Sequence, residues 1–119
     1  MPKNGVIGEI NINTRKAADG RHPPFITSVA LPTVHHALPE GTILIEGDEA
    51  GSAKLAAAEG DQVVIGVLDE AVEANCEIGN VMIHGSCPAE VLVTVSDEGK
   101  STPASKDLIS ALRGIGIYV

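Results

Sequence analysis

The stretch GNVMIHGSCPAEVLV, Gly79 to Val93, decides how this chain is read. It sets Met82, His84, Ser86, Cys87 and Glu90 in one short apolar segment, and those are the residue types of an active site or a metal site. The spacing points elsewhere. Val81 and Ile83 alternate with Met82 and His84, which is the period of two of a β-strand. The strand is expected to end with His84, just before Gly85, and Cys87 to fall in a turn ahead of Pro88. This reading makes the stretch scaffold, with a small buried Cys and a partly buried His.

The runs around it read the same way. FITSVAL alternates Phe25, Thr27, Val29 and Leu31 against Ile26, Ser28 and Ala30. LPEGTILIEG sets a Pro-Glu-Gly turn before a strand at Thr42–Ile45. DQVVIGVL predicts a buried strand, with Gly66 a bulge or a point of close approach. EVLVTV predicts another strand. AGSAKLAAAEGD is ambiguous, its alanines favouring helix and its flanking glycines opposing one. TPASKDLISALRGIGIYV predicts the single helix, with Thr102 as N-cap, Pro103 at the first turn, and Leu108, Ile109 and Leu112 as its apolar stripe. Ile115, Ile117 and Val119 then suit a last strand. The expected fold is mainly β: a small irregular barrel- or sandwich-like body over residues 25–119, with one short C-terminal helix at about 103–113. An extended N-terminal arm covers residues 1–24.

The arm has its own character. GVIGEININ has a weak strand pattern that sets Val6, Ile10 and Ile12 against Glu9, Asn11 and Asn13, and NTRKAADGRHPP follows with no apolar residue larger than Ala. A lone strand on a polar tether needs a sheet edge, its own or another protein's. Residues 1–21 hold Lys3, Arg15, Lys16 and Arg21 against Glu9 and Asp19, a balance of +2 in a chain of net charge −8, so the rest carries −10. The net charge argues against a surface that binds nucleic acid through phosphates. No run is long enough to span a bilayer. MPKNGVIGEI lacks a continuous apolar core behind its basic residue, so no secretory leader is expected. Two cysteines make no disulfide framework, and a reducing cytoplasm is the expected place of synthesis. Apolar residues make up 44% of the 119 positions, yet Trp is absent and Phe25 and Tyr118 are the only aromatics. Such an aliphatic core buries less per residue, so self-association is expected to supply further burial.

The candidate chemistries are weak one by one. Cys76, His84 and Cys87 have C-x7-H-x2-C spacing, unlike a common zinc site, and a Cys87–His84 nucleophilic pair lacks a visible oxyanion site. His35 and His36 are sequence neighbours, which point apart in an extended chain. EGDEAG lacks calcium-loop spacing, and EGKSTPAS lacks the first glycine of a phosphate loop. Lys54 in SAKLA is the residue a lipoyl-type carrier would modify, but its setting is not the tight hairpin such a carrier uses. No enzymatic activity and no cofactor are expected.

The order LPEGTILIEG, VVIGVLDEAVEA, GNVMIHGSC and DLISALRGIGIYV, behind a polar arm, resembles the head decoration proteins of lambda-type tailed phages. The resemblance runs from about Leu38 to Val119. It implies an irregular β fold that forms a homotrimer on the outside of an expanded capsid, made in the host cytoplasm. Its partner would be the major capsid (coat) protein, clamped against the pressure of packaged DNA, with no role for nucleic acid or membrane contact. The arm, carrying Val6, Ile7, Ile10, Ile12, Arg15 and Lys16, would pair with coat strands. The alternatives from other classes are a small β carrier or binding module of a cellular enzyme, and an enzyme using Cys76, His84 and Cys87.

Overall fold

Several runs of this chain place apolar residues at consecutive positions, which suits a strand covered on both faces rather than one with a wet side. A computed structural model describes residues 17–19, 21, 23–57 and 62–119. It is mainly β, with one short C-terminal helix. The strands are β1 (Phe25–Ala30), β2 (Ile43–Glu46), β3 (Ala53–Leu55), β4 (Val64–Leu68), β5 (Ile78–Ser86), β6 (Val93–Val95), β7 (Ser101–Pro103) and β8 (Ile117–Tyr118). The helix α1 is Lys106–Gly114. The main sheet runs β1-β5-β4-β2-β3, all antiparallel, and β8 joins β5 in parallel at Gly85 and Ser86. The hairpin β6–β7 forms a second sheet.

The main sheet divides the core. Ile43, Val64, Val67 and Met82 face one side, where they meet Cys87, Leu92, Ile117 and the helix residues Leu108 and Leu112. Leu44, Leu68 and Val81 face the other, with Val29, Val34, Leu38 and Val95. The consecutive apolar pairs Ile43–Leu44, Val67–Leu68 and Val81–Met82 therefore each supply both layers. All six are completely buried. Each such side chain contributes about 1.5–3 kcal/mol when taken out of water. The expected alternation on β5 holds, since Val81 and Ile83 lie on one side of the sheet and Met82 on the other.

Two glycines are required by what passes over them. At Gly66 a Cβ would stand 2.5 Å from the Met82 carbonyl oxygen and 2.7 Å from Val81 Cγ1. The β2–β4 register also slips there, between Leu44 and Ile45, so the expected bulge and the close approach coincide. Gly41 closes the expected Pro-Glu-Gly turn at φ +91°, with Thr42 Oγ1 donating to the Pro39 carbonyl at 2.7 Å. A Cβ on Gly41 would lie 1.8 Å from the Val91 carbonyl oxygen. The Gly41 carbonyl accepts from Val93 N–H at 3.0 Å, which ties the second sheet to the first.

Four expectations about elements need correction or completion. The helix starts three residues later than Pro103: its N-cap is Ser105, whose hydroxyl accepts from Leu108 N–H at 3.3 Å. Thr102 and Pro103 belong to β7, opposite Thr94 and Val93. Proline is tolerated there because β7 pairs on one side only and the missing N–H costs no ladder bond. EVLVTV is a strand only from Val93, because Ala89–Val91 form one 3-10 turn after Pro88. AGSAKLAAAEGD yields β3 rather than helix, as Leu55, Lys54 and Ala53 pair with β2 and tertiary pairing overrides alanine's preference. Ala17 and Asp19, read from sequence as arm, are bonded to the body: Ala17 N–H donates to the Asp69 carbonyl at 2.9 Å and Asp19 N–H to the Ser86 carbonyl at 3.0 Å.

Candidate functional site

β5 lines up the residues that the sequence singles out, and then separates them. Cys76 lies before the strand, half-buried, with its Sγ on the Ile78 carbonyl at 3.0 Å. Cys87 follows the strand and is fully buried among Met82, Leu92, Leu112 and Ile117. His84 stands near the end of the strand, exposed rather than partly buried. Its ring meets Tyr118 edge-on, with centroids 6.2 Å apart at 86°. β8 ends beside it, and Gly116 leaves room for the ring. A Cβ at Gly116 would fall 2.4 Å from His84 Cδ2. Among the described residues, no three His, Cys, Asp or Glu side chains gather to hold a metal ion.

Burial pushes the Cys87 thiol up to about 11 from its ordinary 9.0, and the nearby Asp19 charge adds to the rise. A thiol so placed is a poor nucleophile. At pH 8 only about one molecule in a thousand would carry the Cys87 thiolate. Iodoacetamide applied to the native protein at pH 8 is therefore expected to label Cys76 first. Cys87 should lag by at least ~100-fold until denaturant is added, as read by peptide mass spectrometry. Equal labelling would show that Cys87 is open to solvent.

The other candidates are built into turns and strands. Lys54 stands within β3, not in a hairpin tip, and its Nζ pairs with Asp48 at 2.8 Å. The EGDEAG turn is closed by Ser52, whose hydroxyl donates to the Glu49 carbonyl at 2.6 Å. EGKSTPAS is the β6–β7 hairpin turn, where Gly99 N–H donates to the Ser96 carbonyl at 2.9 Å, running on into β7. His35 Nδ1 lies 3.1 Å from Asn75 Oδ1, while His36 packs on the Gly99 turn, so the two rings take separate neighbours. Val6, Ile7, Ile10, Ile12, Arg15 and Lys16, the expected coat-binding residues, lie outside the described residues.

Two features carry no local mark in the sequence. One is the anchor where the arm reaches the body. Ser86 Oγ donates to Asp19 Oδ1 at 2.5 Å, Asp19 Oδ2 bridges to Arg21 Nε at 2.8 Å, and Ala18 N–H donates to Asp69 Oδ1 at 3.1 Å. The Ser86 hydroxyl, then the Arg21 N–H, hold the Asp19 carboxyl below its ordinary 3.8. A depressed carboxyl contributes stability that is present above the ordinary value and lost as pH falls through the folded one. Ser86→Ala should therefore raise the Asp19 titration midpoint, followed by NMR of its side-chain carboxyl. An unmoved midpoint would remove Ser86 from the anchor.

The second feature is an aromatic surface. Phe25 is 63% exposed and Tyr118 43% exposed, and these are the chain's only aromatics. Both meet His84: Phe25 is its partner in the β1–β5 register, and Tyr118 touches its ring. Ile115, which precedes Gly116 in the chain, is 37% exposed. Aromatic residues are enriched at the centres of protein interfaces. Their scarcity in this sequence is the signal that could have marked them. No family model matches the chain, and no curated protein matches it.

Proposed function

We propose that this protein is a capsid decoration protein of the lambda type, which sits as a homotrimer on the outside of a phage head and clamps neighbouring coat subunits. The observation that carries the reading is the order LPEGTILIEG, VVIGVLDEAVEA, GNVMIHGSC and DLISALRGIGIYV behind a strand-patterned, basic N-terminal segment. A mainly β body with one short C-terminal helix supports it, being the kind of fold the resemblance implies. In this reading the protein does no chemistry. Val6, Ile7, Ile10 and Ile12 add a strand to a coat-protein sheet, and Arg15 and Lys16 help hold it there. Ordering such an arm costs roughly 1–2 kcal/mol per residue, so one arm binds weakly. Three arms on one trimer raise the avidity by about 10²–10⁴. The acidic body suits a surface facing solvent, away from packaged DNA.

The test is deletion of residues 1–13. The cut stops short of Ala17, so the hydrogen bonds that fix Ala17–Asp19 to the body are retained. The shortened protein is expected to keep its urea midpoint and its trimer mass while losing co-sedimentation with expanded, undecorated heads of the phage whose coat gene neighbours this one. Retained binding to those heads would overturn the role of the arm. A full-length chain that is monomeric at micromolar concentration would overturn the trimer.

A further inference from the structure

β3 and β6 both lie along β2 and the residues just ahead of it, and then part. Ala56 N–H donates to the Ile43 carbonyl at 3.2 Å, and Val93 N–H to the Gly41 carbonyl at 3.0 Å. Backbone groups alternate in direction along a strand. The N–H and C=O of Leu55 and Ala57 therefore point away from β2. On β6, Ser96 N–H turns to the Lys100 carbonyl at 3.0 Å, so the N–H and C=O of Val95 point away from β7. A cleft of about 400 Å³ lies between these two edges, with Leu55 and Ala57 on one wall and Thr94, Val95 and Lys100 on the other. Ala57 is already served. Gln62 Oε1 accepts from its N–H at 2.6 Å, and Gln62 Nε2 donates to its carbonyl at 2.9 Å, the two bonds that a neighbouring strand would make. Leu55 and Val95 make no such outward bond among the described residues, although Val95 is only 2% exposed. Backbone groups so far from water are normally paired.

We infer that this cleft is a slot for one extended strand, and that its occupant is the chain's own segment GVIGEININ, residues 5–13. The inference rests on the strand-pairing reading of that segment proposed above, and it says what competes with the coat for it. The pattern of Val6, Ile10 and Ile12 calls for a sheet edge, and the slot offers two edges, so a strand there is bonded on both sides. Reach agrees. Ala17 N–H is bonded to the Asp69 carbonyl, the neighbouring Leu68 carbonyl accepts from Gly41 N–H at 2.8 Å, and the Gly41 carbonyl accepts from Val93 N–H. Three steps of about 5 Å each thus separate Ala17 from β6. Residues 14–16 bridge about 13 Å when extended, which puts Asn13 within reach of the slot. A coat strand must then draw the segment out of the slot before it can pair with it.

Hydrogen exchange of the full-length protein, read at single amides by NMR, tests this. Ile10→Asp together with Ile12→Asp spoils the strand pattern without touching the body. The Leu55 and Val95 amides are expected to exchange at least ~10-fold faster in that variant than in the wild type, while the Val67 and Met82 amides keep their rates. Adding the synthetic peptide GVIGEININ to the variant should restore the protection. The same peptide with proline in place of Ile10 should not, because it lacks an N–H for the ladder. Equal exchange at Leu55 and Val95 in wild type and variant, or a peptide that protects neither amide, would overturn the slot and leave the coat reading standing. A wild type with both amides protected that fails to sediment with expanded heads would overturn the coat reading and leave the slot standing.

Discussion

Gly41→Ala is expected to be the most damaging single-methyl change in the body, lowering stability by at least about 4 kcal/mol or preventing folding. Two causes act together. The added Cβ would fall 1.8 Å from the Val91 carbonyl oxygen, a backbone atom that cannot turn aside. The backbone at Gly41 also holds φ +91°, which L side chains rarely adopt. Relief requires the Val91 turn to move, and that motion pulls on the Val93–Gly41 hydrogen bond joining the two sheets. Gly51→Ala separates the causes. Gly51 has φ +79° but open space around its missing Cβ, so only the conformational cost applies, about 1–2 kcal/mol. Urea unfolding of both variants checks the pair. A Gly41→Ala midpoint no lower than that of Gly51→Ala would show that the crossing over Val91 is loose.

Leu112→Ala is expected to cost about 3 kcal/mol, within the range of buried leucine truncations. The helix α1 has nine residues, too few for a helix to persist in water by propensity alone. It is held by Leu108 and Leu112, both buried against β4 and β8 residues, and Leu112 is completely buried. Truncation leaves a cavity next to Ile117, so β8 should loosen along with the helix. Hydrogen exchange is expected to accelerate at the amides of α1 and β8 before those of β4. Uniform acceleration across the sheet would mean that the helix and sheet open only as one unit. Ile109→Ala, at a half-buried position on the same helix, should cost clearly less.

The central strands are legible in the sequence because their residues work locally. Val81, Met82 and Ile83 alternate between two layers, and the consecutive apolar pairs Ile43–Leu44 and Val67–Leu68 report burial on both faces. Gly66 is legible as a bulge because a glycine in the middle of a strand run gives up a packing side chain, which strands seldom do unless another chain segment must come close. The helix boundary is harder to place because Thr102-Pro103 and Ser105 offer competing caps. The choice between them is made by β6, which claims Ser101–Pro103 as a partner. β3 is hidden for the same reason, its alanines being neutral until β2 supplies a ladder. The aromatic surface depends on Phe25 meeting His84 across a sheet and on the chain's end returning to β5. No local pattern encodes either contact. The anchor at Asp19 is hidden likewise, since an aspartate in a polar linker says nothing about a serine at the end of a distant strand.

The attachment of Ala17, Ala18 and Asp19 has a mechanical consequence. Anything that tugs on residues ahead of Ala17 meets the body at Asp69 and Ser86, at the far ends of β4 and β5, before it can reach β1. The load enters beside β4 and β5, two inner strands of the sheet, through the hydrogen bonds of Ala17, Ala18 and Asp19, and bypasses β1 at the rim. A molecule held by its leading segment would in this way be gripped through its most deeply seated strands.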